Sequence, residues 1–141
     1  MTPAETLLAE IKIKIQSRFD LDDEAFEDVF DKASFVKIMP EQVLFQEGRH
    51  NNFVYIVAKG VADVFKKKVH ISSVGAGDVL GEMSLIGVDK SSATVIAKTE
   101  MMLFRFKKDW FDILLNRYPQ MNTVIVAEAI KRKIEQSETP A

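Results

Sequence analysis

Gly77-Asp78-Val79-Leu80-Gly81-Glu82-Met83-Ser84-Leu85-Ile86 is the stretch on which the reading of this chain turns, and nine residues after Glu82 it is followed by Ser91-Ser92-Ala93-Thr94. It reads as a carboxylate at the mouth of a short helical turn, then small hydroxyl residues leading into a strand. Such an arrangement suits a sugar and a phosphate, because the first amides of a helix lack internal partners and sit at its positive end.

Outward from this stretch the chain changes period twice. From Phe35 to Phe106 it reads as short β-rich segments broken by glycine or proline: Phe35–Ile38, Val43–Phe45, Phe53–Ala58, Val61–Lys66, Val69–Val74, Thr94–Lys98 and Met101–Phe106. Gly48, Gly60, Gly75 and Gly77 fall at the breaks, where a positive φ or a tight reversal is expected. Before this region, Leu7, Leu8, Ile11 and Ile15 recur at helical spacing, although Ile11-Lys12-Ile13-Lys14-Ile15 alone alternates like a strand. The longer run favours helix. A second helix is expected after the cap Asp22, with Phe26, Val29 and Phe30 on its apolar face. After Lys107 two helices are expected, Lys108–Asn116 and Gln120–Gln136, separated by Pro119, which is tolerated in a first turn and not in an interior. The expected fold is mainly β: an antiparallel β-roll or jelly roll with N-terminal helices and two C-terminal helices. Phe45, Tyr55, Ile56, Val64, Leu80, Leu85 and Phe104 are expected in its interior or under its lid. The organisation expected is a single domain over 1–141: helices over 1–33, the roll over 34–106 and helices over 107–136.

The quoted stretch resembles the phosphate-binding cassette of cyclic-nucleotide-binding domains, which reads roughly G-D-x-x-G-E-x-[AS]-L, a variable tip, then R-[ST/A]-A-[ST]. Every element is present except the arginine, whose position is Ser91. Val43-Leu44-Phe45-Gln46-Glu47-Gly48, Val54–Gly60 and Val61–Phe65 are similar to the family's preceding run, and Leu103–Phe106, Trp110-Phe111 and Leu115–Pro119 to its last strand and following helices. The likeness runs from about Phe35 to Ile134. It implies Glu82 as acceptor for the ribose hydroxyl, Gly81, Met83 and Ser84 as backbone contacts, and Ser92 as a hydroxyl donor to the phosphate, with Ser91 and Ala93 beside it. It further implies a cyclic nucleotide or a related small anion as ligand, no other cofactor, and a last helix that packs over the ligand and against a dimer mate. By an ungapped count, Gln136 and Ser137 approach a base.

Ser91 is the departure that matters. A guanidinium offers phosphate oxygens a planar, always-charged fork, and serine offers one neutral bond. Losing a charge-assisted bond costs about 1.5–3 kcal/mol, which is about ten- to a hundredfold in affinity. Lys90 is the adjacent candidate for a compensating point charge, although neighbouring side chains on an extended segment point to opposite sides.

Composition narrows the alternatives. A chain of 141 residues is long enough to bury about two-thirds of its surface. A net charge of −2 of mixed sign gives no long-range pull on nucleic acid or anionic membrane. There is neither an apolar run of membrane-spanning length nor a signal-peptide pattern at Thr2-Pro3-Ala4-Glu5-Thr6, so the expected location is cytoplasmic. Without cysteine there is no disulfide or thiolate chemistry. Gly75-x-Gly77-x-x-x-Gly81 has one residue too many for a dinucleotide fingerprint. The acidic series from Asp20 to Asp31 lacks the glycine of a calcium loop, having Ala25 at that position, and reads as a capped helix. His50 and His70, twenty residues apart, make no metal pair, which argues against a metal-binding cupin. Lys66-Lys67-Lys68 and Lys131-Arg132-Lys133 read as solvated charge rather than a nucleic-acid site.

The expected function is that of a non-enzymatic regulatory or sensor module with an altered phosphate site. No nucleophile, base and orienter can be assembled from its titratable residues. The last helix carries an apolar stripe, Thr123, Val126, Ala127, Ile130 and Ile134, broadened by Met121, Val124 and Ile125, and a homodimer through it is expected. The alternatives are a ligand-free interaction domain that keeps the fold for dimerisation, and the sensor fragment of a larger regulator. A complete transcription factor is disfavoured, since only 22 residues follow Pro119.

Overall fold

The computed structural model describes residues 2–82 and 90–137. Helices α1 (Pro3–Phe19) and α2 (Asp23–Phe30) precede eight strands: β1 (Ser34–Ile38), β2 (Val43–Phe45), β3 (Phe53–Lys59), β4 (Ala62–Lys66), β5 (Val69–Val74), β6 (Val79–Leu80), β7 (Thr94–Ala97) and β8 (Met101–Lys107). Helices α3 (Lys108–Arg117) and α4 (Pro119–Ser137) follow. The strands form two four-stranded sheets in the orders β1-β8-β3-β6 and β2-β7-β4-β5, with every pairing antiparallel. The expected β-roll with flanking helices is what the chain forms.

β3 explains how one sheet serves two cores. Its side chains alternate faces. Val54, Ile56 and Ala58 join the core under the helices, and Tyr55 and Val57 join the core between the sheets. β8 divides in the same way, with Leu103 toward the other sheet and Phe106 toward the helices. Against the helical side pack Ile15 and Phe19 of α1, Val29 of α2, Phe111 and Leu114 of α3, and Met121 and Ile125 of α4. Phe30 contributes edge contacts to Phe104 and Phe106, at centroid distances of 4.7 and 5.5 Å.

The helix boundaries follow from local chemistry. Thr2 and Glu5 form a reciprocal capping box on α1, with Pro3 in its first turn, so the polar start of the chain is a helix start. Ile11 and Ile15 are buried, whereas Leu8 and Ile13 are exposed, so the strand-like alternation of this segment has no structural counterpart. Asp22 caps α2 by accepting from the Ala25 amide, and Asp28 accepts from the Arg117 guanidinium and the Tyr118 hydroxyl. Those donors hold the Asp28 carboxyl below its ordinary range, Tyr118 first and then Arg117, and tie α2 to the end of α3.

Several expectations need correction. Val79–Leu80 is a strand paired to β3, a pairing too short to show as a periodic run. The glycine breaks are as expected: Gly48, Gly60 and Gly77 have positive φ, and Gly75 opens a tight reversal in which its carbonyl accepts from the Asp78 amide at 3.0 Å. Phe45, Tyr55, Ile56, Val64 and Leu80 are buried as expected, Phe104 is half-buried beneath α2, and Leu85 lies outside the described residues. On α4 the buried face is Met121, Ile125 and Ala129, while Ile130 and Ile134 of the expected stripe are exposed at 48% and 54%. The stripe is real in sequence, but it lies on the face turned away from the chain's own core.

Gly60 closes the β3–β4 turn at φ +97°, and a Cβ there would stand 2.3 Å from the Glu100 carbonyl oxygen. Gly48 has φ +84° with open space around it. Gly60→Ala should therefore lower the unfolding free energy by at least about 2 kcal/mol, and Gly48→Ala by about 1 kcal/mol. Urea unfolding of both variants checks the difference. Equal losses would mean that backbone strain alone matters at Gly60.

Candidate ligand site

The site begins where β6 ends. Leu80 pairs with Tyr55, and Gly81 then takes φ +88° so tightly that a Cβ would stand 2.6 Å from the Phe53 carbonyl oxygen. Only glycine allows this turn without strain. The turn carries Glu82 inward, to a position with no accessible surface.

A buried carboxylate needs partners, and α4 supplies the main one. Arg132 Nη1 donates to Glu82 Oε1 at 2.8 Å and to the Val79 carbonyl at 2.6 Å, while its Nη2 donates to Glu128 Oε1 at 2.6 Å. Glu128 Oε2 accepts in turn from Arg18 of α1 at 2.6 Å, and Arg18 also lies 4.0 Å from Asp78. A line of alternating charge thus runs from α1 through α4 to the cassette. Glu82 Oε2 is buried and has no hydrogen-bond partner among the described residues. Burial pushes the Glu82 carboxyl up to about 7; the Arg132 guanidinium pulls against that rise, and the nearby Glu128 charge adds to it.

Glu82 faces a cavity whose apolar wall includes Phe45, Val64, Ile71, Leu80 and Val95. Gly81, Glu82, Lys90, Ser91, Ser92 and Ala93, all expected site residues, line this same cavity. Met83 and Ser84 lie outside the described residues. Ser91 is fixed by its backbone: its amide donates to the Arg49 carbonyl and its carbonyl accepts from the Gly48 amide, each at 2.8 Å. α4 closes the cavity with Arg132, Glu135 and Gln136. Gln136 is buried, and its carbonyl accepts from Lys66 Nζ at 3.4 Å.

Arg132 corrects the reading of Lys131-Arg132-Lys133 as solvated charge. Lys131 and Lys133 are exposed, but the Arg132 side chain is only 17% accessible. Met121, Ile125, Ala129, Arg132 and Gln136 follow one another at helical spacings of three and four, so Arg132 continues the buried face. Following that face, rather than the Ile130 and Ile134 stripe, would have found it. Asn51 and Lys108 also line the cavity and carry no sequence signal, because the packing of β3 and α3 brings them there. Elsewhere, His70 sits 3.2 Å from Asp63, and His50 bridges Lys90 through the backbone. Among the described residues no group of three or more His, Cys, Asp or Glu is placed to hold a metal.

The raised Glu82 pKa makes stability depend on pH. The folded state holds this proton more tightly than the unfolded chain, so the stabilisation is fully present below the unfolded pKa, near 4.5, and is lost as pH rises through about 7. Urea unfolding should show the parent losing stability relative to Glu82→Gln between pH 5 and pH 8, by on the order of 3 kcal/mol. Parallel pH profiles for the two proteins would rule this out.

The family model described as cyclic nucleotide-binding domain matches residues 35–118. The chain is similar to a cAMP-dependent protein kinase regulatory subunit of Aspergillus fumigatus, 29% identical over 115 residues that make up 80% of this chain and 26% of that protein. It is also similar to the Pycsar effector protein BcPycTIR of Burkholderia cepacia, 28% identical over 109 residues, 77% of this chain and 36% of that one. The chain thus spans between a quarter and two-fifths of the length of these relatives. Among solved structures, PKAR CBD2 with Sp-2Cl-cAMPS bound shares its fold with TM-score 0.80 at 19% identity, covering 97% of this chain and 94% of that one. The Thermus thermophilus catabolite activator protein does so with TM-score 0.71 at 21% identity, covering 83% and 57%. By sequence and by fold, this chain belongs to the cyclic nucleotide-binding domain family.

Proposed function

We propose that this chain is a single-domain, non-enzymatic sensor module that binds a nucleotide-like anion between the cassette and α4, with a phosphate site altered at Ser91. The observation that carries this reading is the fully buried Glu82, which among the described residues keeps one carboxylate oxygen without a partner, on a cavity shared with Lys90, Ser91 and Ser92. An acceptor already stripped of water gains most from a sugar hydroxyl, because its desolvation cost has been met in folding. The backbone of Gly81 and the undescribed Met83 and Ser84 complete the proposed contacts, with Ala93 in the wall. A cytoplasmic location fits the chain, and among the described residues no helix is long and apolar enough to cross a membrane.

Occupancy would become a signal through Arg132. A ligand can shift α4 only by favouring one of its positions, and a hydroxyl bound at Glu82 changes what the carboxylate offers Arg132. The exposed Ile130 and Ile134 on the opposite face of α4 suit a second copy of the chain, so the proposed assembly is a homodimer. The second reading, a ligand-free dimerisation domain, is favoured by one observation: Arg132 already satisfies Glu82 Oε1.

Calorimetry separates the two. Cyclic AMP and cyclic GMP should bind the parent weakly. Ser91→Arg should strengthen binding by at least about tenfold, and Glu82→Ala in that background should remove much of the gain. Tight binding by the parent, or no response to Ser91→Arg, would count against the altered phosphate site, and the second outcome would favour the ligand-free reading.

For the assembly, Ile130→Glu should give a folded monomer by light scattering and circular dichroism. A parent that is already monomeric at high micromolar concentration would defeat the dimer.

A further inference from the structure

The segment His50–Phe53 runs beside the cavity, which Asn51 lines. Lys90 pairs with His50 through an isolated antiparallel bridge, and the Lys108 amide donates to the Asn52 carbonyl at 3.2 Å. Gly81 packs against Asn51 and Phe53, and Ser91 is bonded to Arg49 one residue earlier. Two lysines from distant parts of the sequence are therefore anchored two residues apart on the same short segment, and both line the cavity. Neither has an ion-pair partner among the described residues, whose salt bridges employ Lys12, Lys37, Arg18, Arg117, Arg132 and His70. Of the cavity's carboxylates, Glu82 is engaged by Arg132, and Glu135 enters from α4.

Resting on the proposed ligand site, we infer that the cavity selects a nucleotide with a terminal phosphate monoester over the cyclic diester, with Lys90 and Lys108 holding the phosphate. A cyclic phosphodiester carries one negative charge and suits the single planar fork of a guanidinium, which Ser91 lacks. A terminal monoester carries close to two charges at neutral pH and presents three oxygens. Two ammonium groups on flexible stems, with Ser91 and Ser92 lining the same cavity, match that charge and that number of acceptors. Glu82, with its unpartnered Oε2, receives the sugar in either case.

The test is calorimetry of the full chain with adenosine and guanosine 5′-monophosphates, the corresponding 3′,5′-cyclic forms, and adenosine. The expected result is at least about tenfold tighter binding of each monophosphate than of its cyclic form. Lys108→Gln and Lys90→Gln should each weaken monophosphate binding by at least about tenfold and leave adenosine unchanged, and Lys108→Arg should restore it. Circular dichroism and urea unfolding establish that the variants fold. Cyclic forms that bind as well as monophosphates, or monophosphate binding indifferent to Lys108→Gln, would overturn this inference while leaving the ligand site in place. If none of the five compounds binds either the parent or Ser91→Arg, the ligand site falls, and this inference with it.

Discussion

A carboxylate with no accessible surface has to be held, and at Glu82 the holding is done from the last helix. Arg132 meets one oxygen, and the same guanidinium spans the Val79 carbonyl and Glu128. Breaking such a buried pair by removing one partner costs far more than the pair contributes, because the remaining charge is left unpaired away from water. The placement of α4 is therefore coupled to the cassette by the cost of stranding either charge. Glu128 extends the constraint to α1 through Arg18, so three segments far apart in sequence share one electrostatic register.

That register requires a scaffold that presents β6 and α4 to one another, and β3 provides it. Buried on both faces, β3 carries the helices on one side and the second sheet on the other, and β6 hangs from its edge by the Tyr55 and Ile56 pairings. Gly81 must turn against the Phe53 carbonyl of that same strand. The inward aim of Glu82 thus comes from backbone geometry on β3 rather than from the carboxylate itself. The cavity wall is built by the inter-sheet core, which includes Phe45, Val64, Leu80 and Val95, so the site is an opening at the end of a packed core.

Most of the strand and helix pattern was legible because glycine breaks and apolar periodicity are local signals. Val43–Phe45 and Val69–Val74 were placed to the residue, and α3 and α4 to within one residue at each end. What escaped was governed by contacts distant in sequence. β6 exists because β3 offers an edge, and two residues have no period to read. On α4 the apolar pattern named both the Ile130 and Ile134 stripe and its broadening through Met121 and Ile125; burial chose the latter with Ala129, and what escaped is its continuation into the polar pair Arg132 and Gln136. A buried face that ends in charged and amide groups is invisible to an apolar count. The cassette residues could be named from their pattern, but Lys108 and Asn51 could not, since only tertiary packing brings them to the same cavity.

The position of Arg132 also bears on how the fold tolerates a buried carboxylate in its cassette. An inward glutamate buried without a cation would destabilise the roll at neutral pH. Here the cation comes from α4, so the fold's requirement for charge balance at Glu82 is met independently of any phosphate contact at position 91. The ion pair at Glu82 and the two lysines that line the same cavity are separate groups: among the described residues Lys90 and Lys108 take no part in the contact between Glu82 and Arg132. Because Glu82 and Arg132 meet without Ser91 or the cavity lysines, a substitution at position 91 leaves in place the contact that ties α4 to the cassette.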